Sequence, residues 1–243
     1  KLGRTGLQDA VPITMGQELE GYSHGIARMH DRLVTEQARW NHSCLGGTAV
    51  GTGMGCMPGF RAVIHKHLSD VLGREMKAEE NLVDGMMALD GLIVAHAHIL
   101  ALSTQIWKVT RDLRIMASGE RTGLREITFP ARSETEPDYA ELLITTTNRV
   151  SANNSGVVLG VQSGWLNLGS ASGIPLRCII SSSEMLSNAM NLFVDKVLVH
   201  IKANAAHCAE LAEKSASLST MISAIFGYEI GTKVAHYAID HDL

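Results

Sequence analysis

Apolar side chains recur every three or four residues over long stretches of the chain, which is typical of amphipathic α-helices. The first helix is predicted to start at Thr14-Met15-Gly16-Gln17, because the Thr and Gln have the spacing of a capping box. Its apolar positions are Leu19, Tyr22, Ile26, Met29, Leu33 and Trp40. Gly46-Gly47 ends this helix, and a shorter one is predicted from Pro58 to Gly73.

The longest stripe predicts a single helix from near Glu80 to Ser118, about 55 Å long at 1.5 Å per residue. Its positions alternate steps of four and three, in the order Leu82, Met86, Leu89, Ile93, His96, Leu100, Ser103 and Trp107. Further helices are predicted after Pro137 to Val150, after Pro175 to Ile201, and from about Ala205 to Phe226.

No alternating pattern of useful length indicates a β-strand, and there is no internal repeat or low-complexity linker. The predicted fold class is therefore all-α, a bundle of long helices. Stripes this continuous need partner helices along their whole length, and we expect other subunits to supply some of them. The sequence favours a homo-oligomer.

The composition fits a globular domain with an aliphatic core, since 45% of the 243 residues are apolar and 5% are aromatic. The formal net charge of −4 provides no general attraction for nucleic acid or an anionic membrane surface, and we expect neither as a partner. The most apolar stretch, from Met86 to Leu102, contains Asp90 and two histidines, so we interpret it as a core helix.

The four cysteines form no C-x-x-C pair, and no signal peptide pattern opens the chain, which favours a reducing, cytoplasmic location. The chain starts at Lys1 without an initiator Met. We expect residues 1–243 to be one central helical-bundle domain of a longer chain, with the start of a C-terminal domain near residues 228–243.

Three patterns suggest chemistry, and each has a structural interpretation that we favour. The pairs His65/His67 and His96/His98 are two residues apart, so on a helix one metal ion cannot easily bind both, and we predict no metal site. We expect His96 to find a polar partner in the core. The run from Gly46 to Gly55 lacks the Gly-Lys-Ser/Thr ending of a P-loop, and close backbone approach between helices explains its glycines. Ser181-Ser182-Ser183 has no His and acid pattern around it, and we expect a helix surface there.

Several motifs resemble the aspartase/fumarase superfamily, in that family's order and over nearly the whole chain. They are Lys1 to Pro12 (KLGRTGLQDAVP) with Gly16-Gln17-Glu18, Gly46 to Gly53 (GGTAVGTG), Asn81 to Asp84, Asp112-Leu113-Arg114, Met116 to Ile127 (MASGERTGLREI), Ala203-Asn204 and Gly227-Tyr228-Glu229. The resemblance implies the central helical domain of the aspartase/fumarase fold.

The resemblance also implies a homotetramer whose active sites are assembled from different subunits. The implied reaction is the reversible elimination of ammonia from aspartate, or of water from malate, to give fumarate. A base removes the C3 proton while fixed donors stabilise the charge that develops on the adjacent carboxylate. No organic cofactor is required, and the expected partner is a small dicarboxylate.

Carried over position by position, Thr5 corresponds to a Thr that binds a substrate carboxylate, and we expect Gln8 of the same motif to bind substrate too. Gly6 takes a position that is His in fumarases. Because glycine cannot transfer a proton, it counts against hydration chemistry more than against ammonia release. Glu141 lies where fumarases have the acid partner of that His, and is either that acid or an ordinary acid in a first helical turn.

The catalytic loop departs most from the family. After Pro-Ala-Arg the family has Gly-Ser-Ser and then Met-Pro-x-Lys-x-Asn-Pro, whereas here Pro130-Ala131-Arg132-Ser133 is followed at once by Glu134-Thr135-Glu136-Pro137. Ser133 is the only nearby serine and therefore the candidate base.

We predict an aspartate ammonia-lyase-like protein, because Gly6 replaces the His and because Asp112 to Ile127 and Pro130 to Arg132 are most similar to bacterial aspartases. The alternatives are a class II fumarate hydratase, or a non-catalytic or engineered helical-bundle relative. With its catalytic loop so short, we expect the chain by itself to have little or no lyase activity.

Overall fold

The computed structural model describes residues 1–169 and 173–241, and helices dominate it. The α-helices in this part of the chain are α1 Met15–Gln37, α2 Phe60–Leu72, α3 Leu82–Met87, α4 Asp90–Met116, α5 Tyr139–Val161, α6 Gly173–Lys196, α7 Ala205–Glu213, α8 Ser219–Phe226 and α9 Tyr228–Asp240. Single turns of 3₁₀-helix occupy Ala38–Trp40, Leu198–His200 and Ala216–Leu218. The prediction of an all-α bundle is confirmed.

Three small two-stranded sheets accompany the helices. Their strands are β1 Leu2–Thr5 with β2 Gln8–Pro12, β3 His42–Ser43 with β4 Lys77–Ala78, and β5 Ile127–Thr128 with β6 Lys202–Ala203. The prediction missed β1 and β2, which form an antiparallel hairpin with an irregular register between Leu2 and Arg4. Four of the five residues of β2 are exposed and the register of β1 is irregular, so neither strand leaves an alternation of apolar and polar residues in the sequence.

The described residues group into two compact units. Unit 1 comprises Lys1–Gly25, Val109–Ala140 and the chain from Phe193 onward, and unit 2 comprises Ile26–Lys108 and Glu141–Leu192. The single domain expected over residues 1–243 stays a prediction. The region 228–243, where a further domain was expected to start, contains α9, and residues 242 and 243 lie outside the described residues.

The start of α1 is the predicted capping box. The backbone N–H of Gln17 donates to Thr14 Oγ1 over 3.1 Å, and the N–H of Thr14 donates to Gln17 Oε1 over 3.0 Å. Two backbone donors at the helix start are thereby satisfied, and α1 begins at Met15.

The prediction of one helix from Glu80 to Ser118 is wrong, because the backbone breaks between α3 and α4. Ala88 is extended, with φ −90° and ψ 128°. The carbonyl of Met86 accepts a hydrogen bond of 2.7 Å from the N–H of Gly169, so a distant segment binds at the break. Gly169 packs so closely that a Cβ there would lie 2.7 Å from Leu89 Cγ. The apolar stripe stays in step across the break, and the pattern alone therefore could not reveal it.

The predicted helix from Ala205 to Phe226 is also interrupted. α7 ends at Glu213, and Ser215 then adopts an extended conformation in which its hydroxyl accepts from the N–H of Ser217 over 3.3 Å. The Ser215 hydroxyl also donates to Asp9 Oδ2 over 2.8 Å. A serine that bonds nearby backbone competes with helix continuation, which accounts for the interruption.

The glycine-rich segment is a loop that packs closely against a helix, whereas close approach between two helices was predicted. Gly51 has φ +86°, and a Cβ on it would lie 2.3 Å from Val83 Cα and 2.4 Å from the carbonyl oxygen of Leu82. The loop therefore lies directly against the first turn of α3. Gly55 has a similar φ of +82° but open space around it.

In the core of unit 2, a polar cluster joins three helices around His96, which is completely buried. Its Nδ1 lies 3.1 Å from Asn154 Oδ1, and its Nε2 lies 3.0 Å from Ser182 Oγ. Because the amide oxygen only accepts, Nδ1 carries the proton and Nε2 accepts from the Ser182 hydroxyl. Asn153 also donates to that hydroxyl over 3.0 Å. The predicted polar partner of His96 is confirmed, while Ser182 is buried and not on a helix surface as expected.

By length and composition, Asp90–Met116 is the one helix among the described residues that could cross a membrane. Its buried positions include His96 and Ser103, both fully inaccessible, and His96 is hydrogen-bonded to two neighbouring helices. A buried histidine is costly in lipid, and His96 is matched here by protein partners, so we describe α4 as a core helix.

We expect Gly51→Ala to lower the free energy of unfolding by about 3 kcal/mol, because the added methyl group overlaps the α3 backbone in addition to straining φ. Gly55→Ala is the matched control, since it has the same backbone conformation without the overlap, and should cost about 1 kcal/mol. Urea unfolding of both variants measures the difference. Equal losses would contradict the close approach.

We expect His96 to make stability depend on pH. Burial lowers the pKa of His96 below its ordinary value of 6.5, so the folded state binds fewer protons than the unfolded state. The stability that neutral His96 contributes is therefore fully present above pH 6.5 and is lost as the pH falls below that value. His96→Gln should lower stability at pH 7.5 by about 1 to 3 kcal/mol and flatten the decline between pH 7 and 5. His67→Gln, at an exposed histidine, is the control. If stability falls between pH 7 and 5 as steeply in His96→Gln as in the wild-type chain, His96 does not cause the pH dependence.

Candidate functional site

The candidate substrate ligands Thr5 and Gln8 lie opposite each other at the end of the β1–β2 hairpin, where the register pairs them directly. The two residues between them, Gly6 and Leu7, have φ of +59° and +64°, as in the tight turns that close two-residue hairpins. Thr5, Gly6 and Gln8 are all exposed. The structure thus brings these two predicted residues together and presents them to solvent.

Next to the turn, strand β1 is held by the carboxylate of Glu126, whose side chain is completely buried. Arg4 Nη1 lies 2.5 Å from Glu126 Oε1, and Lys1 Nζ lies 3.1 Å from Glu126 Oε2. A buried carboxylate is stable only when cations or donors compensate its charge. Lys1 and Arg4 of the hairpin motif therefore bind inside the protein, whereas Thr5 and Gln8 face solvent.

Glu126 is itself fixed by its backbone. Its N–H donates to the carbonyl of Met116 over 2.8 Å, and its carbonyl accepts from the N–H of Asn204 over 2.8 Å. The thiol of Cys208 donates to the same carbonyl over 3.5 Å. Burial, together with the nearby Glu126 charge, raises the pKa of Cys208, which keeps this thiol protonated as a donor.

The network continues into α1 and the end of α4. Lys1 also forms an ion pair with Glu18, and the hydroxyl of Tyr22 lies 3.2 Å from Glu18 Oε1 and 2.9 Å from Asp112 Oδ2. Burial and the hydrogen bond to Asp112 raise the pKa of Tyr22 well above its ordinary value, so the phenol remains a donor. We call Lys1, Arg4, Glu18, Tyr22, Asp112 and Glu126 the buried charge network.

Most of these residues lie in the motifs shared with the family, but the motifs by themselves indicate no role for them. Leu2 is buried between Lys1 and Arg4, and this apolar residue among charges was the available signal that the segment enters the core. The partner, Glu126, is 122 positions away from Arg4 in the chain. No local pattern connects the two.

Ser133, the candidate base, lies in a tight turn on the surface. Its N–H donates to Glu136 Oε2 over 2.9 Å, and its hydroxyl lies 3.3 Å from the same oxygen. The hydrogen bond from the Ser133 backbone lowers the pKa of Glu136. A carboxylate with a lowered pKa is a weak proton acceptor, so this turn orients the hydroxyl without activating it strongly.

Beside this turn, a cavity of about 170 Å³ is lined by charged side chains of both signs. Arg132 and Lys196 supply the positive charges, and Glu136 and Asp138 the negative ones. Such a lining can hold a small molecule that carries both carboxylate and ammonium groups.

Glu141 belongs to unit 2 and is an exposed residue of the first turn of α5. An acid there interacts favourably with the helix dipole, which is one of the two roles expected for it. Asp138 caps the same helix, because its Oδ1 accepts from the N–H of Ala140 over 3.0 Å.

Within residues 1–169 and 173–241, no group of three or more His, Cys, Asp or Glu side chains is arranged to hold a metal ion. The arrangement of Ser182, His96 and Asn154 resembles a catalytic triad, but His96 and Ser182 are fully buried. A nucleophile without access to substrate cannot react, so this cluster is structural.

Comparison with known proteins shows which family the chain belongs to. A family profile described as "Lyase" matches residues 1–137, which is more than half of the chain. The chain belongs to this lyase family. The aspartate ammonia-lyase of Bacillus subtilis (strain 168) is 33% identical over 98% of this chain and 52% of its own length. The class II fumarate hydratase of the same organism is 29% identical over 98% and 53%.

Solved structures of lyases share the fold. A class II fumarase from Schistosoma mansoni has a TM-score of 0.93 and 25% identity, covering 99% of this chain and 55% of that one. A fumarate lyase:delta crystallin from Brucella melitensis, bound to cobalt, has a TM-score of 0.92 and 31% identity, covering 99% and 54%. The predicted aspartase/fumarase superfamily is confirmed, and this lyase chain spans about half the length of the curated relatives it matches.

Proposed function

We propose that this member of the lyase family is an aspartate ammonia-lyase, which eliminates ammonia reversibly from L-aspartate to give fumarate. The observation that carries the proposal is Gly6. It sits in the turn between the two candidate substrate ligands, has φ +59°, and has open space where a side chain would be.

The leaving groups explain why this glycine matters. The amine of aspartate is already protonated and departs as neutral ammonia, whereas the hydroxyl of malate must receive a proton before it leaves as water. A side chain at position 6 could help deliver that proton, and glycine has none. The site thus supports ammonia elimination better than dehydration.

The proposed roles follow the reaction. Thr5 and Gln8 bind a substrate carboxylate. Ser133 passes its hydroxyl proton to Glu136, and the resulting alkoxide removes the C3 proton. The electron pair of that C–H bond forms the C2–C3 double bond as the C2–N bond breaks. Glu141 is the candidate second acid–base group. The Ser133 hydroxyl lies 3.1 Å from the Thr135 hydroxyl and 3.3 Å from Glu136 Oε2. Because a hydroxyl and a carboxylate with a lowered pKa are both weak proton acceptors, the expected rate is low.

Two alternatives are each favoured by a specific observation. Similarity to class II fumarate hydratases, at 29% identity for the Bacillus subtilis protein, favours a hydratase. The short turn from Ser133 to Glu136 favours a non-catalytic or engineered helical-bundle relative. The experiment described next separates all three.

Product analysis tests the proposal. Fumarate with ammonium is incubated with the chain at high concentration, and ¹H NMR identifies the product. We expect slow formation of aspartate and no malate. Malate without aspartate would instead support the hydratase, and no product from either reaction would support the non-catalytic relative.

The role of Ser133 has its own prediction. Ser133→Ala should reduce aspartate formation by about 10² or more, because general base catalysis typically contributes that much. Ser183→Ala is the matched control, since Ser183 is an exposed serine whose hydroxyl donates to the carbonyl of Ile179 in its own helix. An unchanged rate in Ser133→Ala would rule out this base.

We also propose a cytoplasmic homotetramer that needs no organic cofactor. Large apolar side chains on the surface support further subunit contacts, among them Leu166, 92% exposed, Val71, 81% exposed, and Trp165, 80% exposed. Light scattering after gel filtration should give four times the mass of the chain. A monomer at micromolar concentration would contradict the tetramer.

A further inference from the structure

We propose that Arg4 and Glu126 are positioning residues for the candidate dicarboxylate site. Their ion pair would set the place and direction of Thr5, and so the affinity for substrate. This inference rests on the proposed function, because it takes Thr5 as a substrate ligand. It goes beyond that function in giving the buried charge network a role in binding.

Two side-chain contacts fix the hairpin beside Thr5, the ion pair of Arg4 with Glu126 and the hydrogen bond of 2.8 Å from the Ser215 hydroxyl to Asp9 Oδ2 on the opposite strand. Only the first of them lies on the strand of Thr5. Thr5 pairs with Gln8 across a two-residue turn, and a Cβ on Gly6 would contact nothing within 4 Å. Arg4 is the next residue on the same strand, and neighbouring side chains of a strand point to opposite faces. When the Arg4 guanidinium binds inward to Glu126, the Thr5 hydroxyl is directed outward.

The far end of this ion pair is rigid. Glu126 has no exposed side-chain surface, and its backbone N–H and carbonyl are bonded to Met116 and Asn204. A guanidinium that binds a buried carboxylate is strongly oriented, since the bond is charge-assisted and largely shielded from water. The residues next to the hairpin turn are therefore attached to a rigid group inside unit 1.

Arg4 is the better residue to change, because Glu126 keeps a second cation. Lys1 Nζ remains 3.1 Å from Glu126 Oε2, so the buried carboxylate is still compensated when Arg4 is replaced. Replacing Glu126 would instead leave two cations near an apolar core and endanger folding. Arg4→Gln removes the charge at similar length, and Arg4→Lys retains the charge.

The experiment measures two quantities in the wild-type chain, Arg4→Gln, Arg4→Lys and Thr5→Ala. Calorimetric titration with fumarate gives the dissociation constant. Amide hydrogen exchange over residues 4–9 reports the order of the hairpin, while exchange at the buried Leu113 and Phe193 reports whether unit 1 is folded.

Thr5→Ala should weaken fumarate binding about tenfold or more without changing exchange, because one hydrogen bond to a charged ligand is lost. Arg4→Gln should weaken binding by a similar factor and speed exchange over residues 4–9, with exchange at Leu113 and Phe193 unchanged. Arg4→Lys should restore part of the fumarate affinity and part of the protection from exchange over residues 4–9. If amide exchange at Leu113 and Phe193 also speeds up in Arg4→Gln, unit 1 is no longer folded in that variant. The positioning role is then tested with Arg4→Lys, by its dissociation constant for fumarate and its exchange over residues 4–9.

The outcomes separate the two claims. If Thr5→Ala weakens binding and Arg4→Gln leaves it unchanged, the positioning role is overturned and the proposed function stands. If fumarate does not bind the wild-type chain, or Thr5→Ala binds it normally, Thr5 is not a ligand. The proposed site then fails, and this inference fails with it.

Discussion

The charge of Glu126 is the constraint on which much of unit 1 depends. A completely buried carboxylate must be compensated by cations or donors, because transfer of an isolated charge from water into protein costs many kcal/mol. Arg4 and Lys1 meet this need from the N-terminal hairpin, and Lys1 continues the network to Glu18 in α1. One buried charge thus connects the hairpin, the first long helix and the segment after α4.

This constraint also gives the hairpin its two chemical faces. The same twelve-residue motif sends Lys1 and Arg4 into the protein and leaves Thr5 and Gln8 exposed at the turn. A flexible loop could present the same ligands, but binding would then have to offset the entropy of ordering them. The positioning role proposed for Arg4 and Glu126 makes this difference measurable.

The two broken helices show the limit of periodicity. The apolar stripe continues in step past Ala88 although the backbone of this residue is extended, since a stripe records only which side chains face a core. The break depends on Gly169, about eighty residues later, whose N–H binds the carbonyl of Met86. In the same way, Ser215 interrupts the C-terminal helices while bonded to Asp9.

The sequence by itself determined the all-α class, the capping box at Thr14, the packing role of the glycine loop and the lyase family, because each rests on local spacing or on motifs in order. It also selected Thr5 and Gln8, but not their pairing at a turn. Only the tertiary structure decided that Glu126 is the partner of Arg4, that Ser182 is buried against His96, and where the long helices break. Those features depend on contacts between residues far apart in the chain, and no pattern along the chain records which distant groups will meet.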